Sequence, residues 1–80
     1  MTVQNNTIEM MDLSNVPCPQ NTSKILIKLE LMDAGERIEF VIREGEAHQN
    51  VISSISNEAI KILSDTPFSE NRRCLRIEKL

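Results

Sequence analysis

Cysteine is the residue type in this chain best suited to covalent chemistry, and Cys18 has the more unusual sequence context of the two cysteines. Pro17 and Pro19 flank Cys18, so no helix can hold it in its interior. A pattern typical of a helix follows directly. At a helix entrance, free backbone N–H groups and the positive end of the helix dipole stabilise a thiolate. The spacing therefore favours Cys18 as a nucleophile that can attack a disulfide or accept a sulfur atom.

The point at which the helix begins decides how strongly Cys18 is activated. If Pro19 is the first helical residue, Cys18 is the N-cap and its sulfur can face the N–H groups of Gln20 and Asn21, with Lys24 adding a positive charge. If Asn21 is the N-cap instead, Cys18 lies a full turn outside the helix and the activation weakens. A third interpretation is that Cys18 is simply a small buried apolar residue.

The remaining candidates for chemistry are His48 and Cys74. His48 could act as a base toward Cys18, but no spacing supports this, and a partly exposed residue at a helix start is the plainer interpretation. Cys74 alternates with Arg72 and Arg76, which predicts a half-exposed structural residue on the sheet face away from the helices; a resolving or dimer-forming thiol is the alternative. The spacing of these residues fits no metal site, so we expect neither a metal nor another cofactor.

Apolar periodicity predicts six elements in the order β-α-β-α-β-β. The expected strands are Ile8–Leu13, Arg37–Arg43, Ala59–Leu63 and Arg73–Lys79, and the expected helices are Thr22–Asp33 and Ala47–Ser56. Two helices on one face of a four-stranded mixed sheet is the simplest way to bury the apolar stripes, which makes this an α/β (α+β) two-layer sandwich. Residues 1–7 are expected to form a flexible tail, residues 8–80 a single domain, and Ser64–Asn71 a loop.

The elements present well-defined core faces. The residues expected to point inward are Ile25, Leu26, Leu29 and Met32 on the first helix, Val51, Ile52 and Ile55 on the second, Ile38, Phe40 and Ile42 on the second strand, Ile60 and Ile62 on the third, and Leu75 and Ile77 on the fourth.

Residues 11–21, which read MDLSNVPCPQN, resemble the signature of the TusA/SirA-like sulfur carrier family, Leu-Asp-x-x-Gly-Leu-x-Cys-Pro-x-Pro. The resemblance covers about residues 8 to 80 and implies a fold like the C-terminal domain of translation initiation factor three. It also implies that Cys18 carries sulfur as a persulfide, supported by Asp12, Pro19, Asn21 and Lys24. The implied partners are a cysteine desulfurase or rhodanese-like donor and an acceptor protein of tRNA thiolation, cofactor synthesis or sulfur metabolism.

Two departures from that signature affect the backbone conformation that the motif requires. Asn15 stands in place of the glycine, which asparagine can replace in a left-handed conformation. Asn21 stands in place of the second proline, giving a Cys-Pro-x-Asn motif. Because N–H groups of the first helical turn have no intrahelical partner, we expect Asn21→Pro to leave the fold intact.

Composition limits the classes of partner. The chain has 80 residues with 12 acidic and 9 basic side chains, a formal charge of −3, and neither Trp nor Tyr. Nucleic-acid binders rely on excess positive charge and on stacking aromatics, so we expect weak or no nucleic-acid binding. No signal peptide or membrane span is recognisable, and a cytoplasmic location is expected.

Two surfaces are candidates for protein contacts. Ile27 and Leu31 point away from the core stripe of the first helix, with Lys24 and Lys28 beside them, and are expected to dock a donor or acceptor. This interpretation makes the chain a carrier rather than a stand-alone enzyme. The alternative is a binding or regulatory module in which Cys18 is structural and the uncovered sheet face makes the contacts, through Arg37, Arg43, Lys61, Arg72 and Arg76.

Overall fold

The computed structural model describes residues 8–17 and 19–80. Cys18 and the expected tail, residues 1–7, therefore lie outside the described residues. Six elements follow one another as β1 (Glu9–Asp12), α1 (Gln20–Leu31), β2 (Arg37–Arg43), α2 (Glu46–Ile55), β3 (Ile60–Ser69) and β4 (Arg72–Lys79). The predicted order β-α-β-α-β-β is confirmed.

The four strands form one mixed sheet in the order β1-β2-β4-β3. Strand β1 runs parallel to β2, whereas β2 and β3 both pair antiparallel with β4. The parallel pair needs a crossover, which α1 supplies between β1 and β2. Strands β1 and β3 are consequently the sheet edges, and β2 and β4 form its centre.

One face of the sheet packs against both helices, as predicted. The buried cluster combines Ile25 and Leu29 of α1, Val51 and Ile55 of α2, and the inward residues of the two central strands: Ile38, Phe40, Ile42, Leu75 and Ile77. Each of these side chains is at most 1% exposed. Burial of this apolar surface is the main term that stabilises so small a domain. The α+β two-layer architecture is therefore confirmed. No helix among the described residues is long and apolar enough to cross a membrane.

The largest error of the sequence prediction concerns β3. The strand does not end at Leu63 but continues through Pro67 to Ser69, so the predicted loop Ser64–Asn71 is reduced to the turn between β3 and β4. Asn71 closes that turn with a φ of 62°. Pro67 suggested a loop, yet proline is tolerated on an edge strand, where its missing N–H costs no ladder bond. Register shifts at Ile62/Ser64 and Pro67/Ser69 absorb the irregularity.

The same edge position explains a second error. Ile62 was expected to point into the core but remains 36% exposed, whereas Ile60 packs against the core cluster. Ile62 pairs with the fully buried Ile77. At the outermost strand, however, the helices no longer cover the sheet completely. Periodicity assigned the correct face to Ile62 and could not show where the covering layer ends.

Candidate functional site

The loop between β1 and α1, which leads to Cys18, is held from two sides at Ser14. The backbone N–H and the hydroxyl of Ser14 both donate to Asp12 Oδ1, at 2.9 and 2.6 Å. From the other side, Nε and Nη2 of Arg43 donate to the Ser14 carbonyl oxygen, each at 3.3 Å. Val16 N–H closes a turn onto the Leu13 carbonyl at 3.0 Å. Residues 12–16 are thereby tied to the sheet.

Asp12 has the role of an anchor in this loop. Hydrogen bonds from the Ser14 hydroxyl and the Ser14 N–H, helped by Arg72, bring the pKa of Asp12 below its ordinary value despite the opposing effect of desolvation. Arg72 Nη1 lies 3.3 Å from Asp12 Oδ2. The carboxylate thus links the loop to β4 as well. The resemblance singled out Asp12, and the structure assigns it these contacts.

Asn15 needs no left-handed conformation. Among the described residues other than glycine, only Asn71 has a positive φ. The backbone freedom that glycine would supply at this position is therefore not used, which gives a physical reason why asparagine is accommodated in the motif.

The start of α1 differs by one position from the first expectation. Pro19 is the N-cap, with φ −95° and ψ 10°, and Gln20 is the first helical residue. The Pro19 carbonyl accepts the Ser23 N–H at 3.1 Å. Cys18 is thus the residue before the N-cap rather than the N-cap itself. The alternative start at Thr22 is also wrong, because Asn21 is already inside the helix.

Asn21 is the residue whose environment sequence reasoning misjudged most. Its N–H donates to the Pro17 carbonyl at 3.0 Å, and its side chain is 1% exposed with Oδ1 accepting the Thr22 N–H at 2.6 Å. The Asn21 N–H is therefore occupied and is not free to stabilise a thiolate. The assumption behind our expectation that proline is tolerated here, an unbonded Asn21 N–H, is therefore wrong.

The electrostatic setting of the α1 start still favours negative charge. The first turn of α1 carries no acidic residue, and Lys24 is exposed one turn into the helix. The positive end of the helix dipole is consequently not neutralised by a neighbouring carboxylate of that turn. An anion near the α1 N-terminus would be stabilised.

A concavity of about 300 Å³ lies beside this loop. Its walls come from the loop, from the end of β2 and from the start of α2: Ser14, Asn15, Val16, Pro17, Arg43 and Ala47. Val16, Pro17 and Ala47 supply apolar surface, while Arg43 supplies the formal charge. No local pattern could have revealed this site, because its walls are separated by about thirty residues in the chain.

His48 belongs to a separate cluster of charged groups between α2 and the β3–β4 hairpin. His48 Nε2 lies 2.7 Å from Asp65 Oδ2, and Arg73 Nε donates to Asp65 Oδ1, also at 2.7 Å. Burial raises the pKa of Asp65, but the hydrogen bonds and charges of Arg73 and His48 outweigh it and bring the value below the ordinary one. One ring nitrogen of His48 is therefore engaged by Asp65, a partner that sequence reasoning had placed in a loop.

The sheet face away from the helices carries Cys74, as predicted. Cys74 is half-buried opposite Val41, which is 1% exposed. Burial, followed by the charge of Glu39, raises the pKa of the Cys74 thiol against the opposing effect of Arg76. A thiol with a raised pKa is mostly protonated at neutral pH and is a poor nucleophile.

The arginines on that face are largely neutralised. Arg76 bonds Glu39 at 2.7 Å, Arg37 lies 3.4 Å from Glu78, and Arg72 pairs with Asp12. Arg72 also lies over the Phe68 ring, with its guanidinium carbon 5.2 Å from the centroid. Three of the five basic residues on which the binding-module alternative relies are therefore paired, which weakens that alternative; Arg43 and Lys61 form no ion pair among the described residues.

The expected docking residues on α1 are exposed. Ile27 is 60% and Leu31 76% exposed, and Lys28 Nζ forms an ion pair with Glu9 at 3.0 Å. Within the parts of the chain that the structure describes, no three His, Cys, Asp or Glu side chains approach closely enough to hold a metal ion.

The fold and site together define a class of protein: a small α+β two-layer domain in which a Cys-Pro pair precedes the first helix. No family profile, curated protein or solved structure matches the chain.

Proposed function

We propose that this protein is a small sulfur carrier that accepts sulfur on Cys18 as a persulfide and relays it to an acceptor protein. The observation that carries the proposal is the start of α1: Pro19 is its N-cap, the first turn has no acidic residue, and Cys18 is the residue before Pro19 in the chain. The resemblance of residues 11–21 to the sulfur carrier signature supports it. So does the two-layer α/β architecture, which is the one that the resemblance implied.

The chemistry of such a carrier needs little beyond a thiolate. The Cys18 thiolate attacks the outer sulfur of a donor persulfide, R–S–SH. A bond forms between Cys18 Sγ and that sulfur, the S–S bond of the donor breaks, and R–S⁻ leaves with the electron pair. The proton stays on the transferred sulfur, and there is no net oxidation. Transfer to an acceptor repeats the exchange, so the domain functions with partner proteins rather than as a complete enzyme.

Partners and location follow from this chemistry. The donor is proposed to be a cysteine desulfurase or a rhodanese-like protein, and the acceptor a protein of tRNA thiolation, cofactor synthesis or sulfur metabolism. We propose that the exchange takes place in the cytoplasm, where thiols are kept reduced.

Incubation with a cysteine desulfurase and cysteine should add the mass of one sulfur atom to the intact protein. Peptide mapping should place that sulfur on Cys18, because burial and Glu39 raise the pKa of the Cys74 thiol. Cys74→Ser is the matched control and should gain the sulfur as the wild type does. Gain of sulfur by Cys18→Ser, or no gain by any form, contradicts the proposal.

A second expectation concerns the docking surface on α1. Ile27→Ser with Leu31→Ser should slow sulfur transfer from a donor protein by about fivefold or more, the loss of roughly 1 kcal/mol at an apolar contact. Stability should change by less than about 0.5 kcal/mol, because both side chains are exposed. Denaturation and transfer rates are measured on the same preparations.

Met10→Ser with Leu80→Ser is the control for the α1 double variant, because both residues are exposed apolar side chains outside α1. The control should transfer sulfur at the wild-type rate. Equal slowing in both double variants would show that general surface apolarity, and not the α1 pair, determines docking.

A further inference from the structure

Arg43 differs from the other arginines of the chain. Arg37, Arg72, Arg73 and Arg76 each lie within 4 Å of at least one carboxylate. Arg43, in contrast, donates to the Ser14 carbonyl oxygen and has no carboxylate partner among the described residues. The other residues of the chain, 1–7 and 18, contain neither Asp nor Glu.

The neighbouring acids are engaged elsewhere. Asp12 accepts from Ser14 and pairs with Arg72, and the Glu44 carboxylate lies 3.8 Å from Arg73. The positive charge of Arg43 is therefore not neutralised locally, in a protein whose formal charge is −3. Such a guanidinium attracts an anion from solution.

The charge of Arg43 lies in the wall of a concavity where an anion can bind. Arg43 lines the concavity of about 300 Å³ together with Val16, Pro17 and Ala47. The arrangement of one guanidinium beside a small apolar wall fits a ligand with one carboxylate and a short carbon chain. The volume is at the lower end of the range for small-molecule sites, which favours a compact ligand.

We propose that this concavity binds the carboxylate of a small thiol or persulfide compound through Arg43. The inference rests on the proposed function, because it makes the persulfide form of the bound compound a direct sulfur donor to Cys18, the residue after Pro17 in the chain, whereas the thiol form only binds. The carboxylate pairs with the guanidinium, an interaction that arginine makes with good geometry. The donor R–S–SH, with its carboxylate on R, passes its outer sulfur to the Cys18 thiolate and leaves as R–S⁻.

Binding is tested without any sulfur transfer. Mercaptoacetate, titrated into the protein labelled with nitrogen-15, should give saturable shifts of the Ser14, Val16 and Ala47 amide signals. Mercaptoacetamide, which has the same size and no charge, should give none. Shifts should also disappear in Arg43→Gln and persist in Arg43→Lys. No shifts with mercaptoacetate, or equal shifts with the amide, would overturn the proposal, and neither result depends on whether Cys18 carries sulfur.

Alkylation provides a kinetic test at Cys18 itself. The ratio of the iodoacetate to the iodoacetamide rate should fall by up to about fivefold in Arg43→Gln, the range of an exposed ion pair. Arg37→Gln, which removes an arginine at the opposite end of β2, should leave the ratio unchanged. The wild-type ratio should also fall as salt is raised. A ratio that is the same in Arg43→Gln and in the wild type would overturn the inference while leaving the persulfide test of Cys18 intact.

Discussion

Replacement of Asn21 by proline should lower the free energy of unfolding by about 3 kcal/mol. The Asn21 N–H donates to the Pro17 carbonyl oxygen at 3.0 Å, four residues earlier in the chain. Proline removes this donor, and its ring collides with the same carbonyl. It also disfavours the helical conformation of Gln20, the residue before it. Urea denaturation measures the loss, and the melting temperature should fall by more than about 10 °C.

Asn21→Ala separates the backbone contribution from that of the side chain. Alanine keeps the N–H and loses the buried amide whose Oδ1 accepts the Thr22 N–H at 2.6 Å. The expected cost is about 1 kcal/mol, the value of one hydrogen bond. If proline is tolerated as well as alanine, the bond to Pro17 contributes nothing and the α1 start is less constrained than its geometry indicates.

Asp65→Ala should destabilise the protein by about 2 kcal/mol. Asp65 accepts hydrogen bonds from Arg73 through both its side chain and its backbone, and it contacts His48 at 2.7 Å. The Arg73 side chain is 22% exposed, and truncation leaves its guanidinium with the more distant Glu44 as its one ion-pair partner among the described residues. A partly buried charge without its partner is the costly part of the substitution.

The same carboxylate makes stability depend on pH. The pKa of Asp65 in the folded protein is lowered, because Arg73 and His48 outweigh the effect of burial. Because the pKa of Asp65 is lower in the folded protein than in the unfolded chain, the unfolded chain takes up the proton at a higher pH than the folded protein does. The stability that ionised Asp65 contributes is therefore fully present above the ordinary pKa of aspartate, about 3.9. It is lost as the pH falls through the pKa of Asp65 in the folded protein. Stability measured from pH 7 to pH 2 should decline below about pH 4.

Asp65→Asn is the matched variant for this pH dependence. It keeps the shape and an acceptor for Arg73 but cannot titrate, so it should lose less stability than Asp65→Ala at pH 7 and show a shallower acid decline. The residual decline comes from other carboxylates, among them Asp12, whose pKa is also lowered. Asp33→Asn, at an exposed position outside the described ion pairs, should follow the wild-type curve. An unchanged acid decline in Asp65→Asn would contradict the assignment.

Much of the fold could be predicted from local patterns. Strand Arg37–Arg43 was predicted with its observed bounds, because apolar and charged residues alternate almost perfectly over its seven residues, a pattern typical of a strand with one buried face. The core stripes of both helices were also predicted correctly. The prediction failed at the sheet edge, where Pro67 suggested a loop. Proline is tolerated in a strand that has no neighbouring strand on one side, because its missing N–H then costs no ladder hydrogen bond. Only the assembled sheet shows which strands lie at an edge.

The sequence by itself determined the element order, the core faces and the position of the Cys-Pro pair ahead of the first helix. These features depend on residue types a few positions apart, and such patterns are visible without a structure. Only the tertiary structure decided the partners of single polar groups: Pro17 for the Asn21 N–H, Asp65 for His48, and the Ser14 carbonyl for Arg43. The contacts of His48 and Arg43 join residues far apart in the chain, and that of Asn21 depends on where α1 begins. Polar contacts of this kind form only when packing brings a donor within about 3 Å of an acceptor.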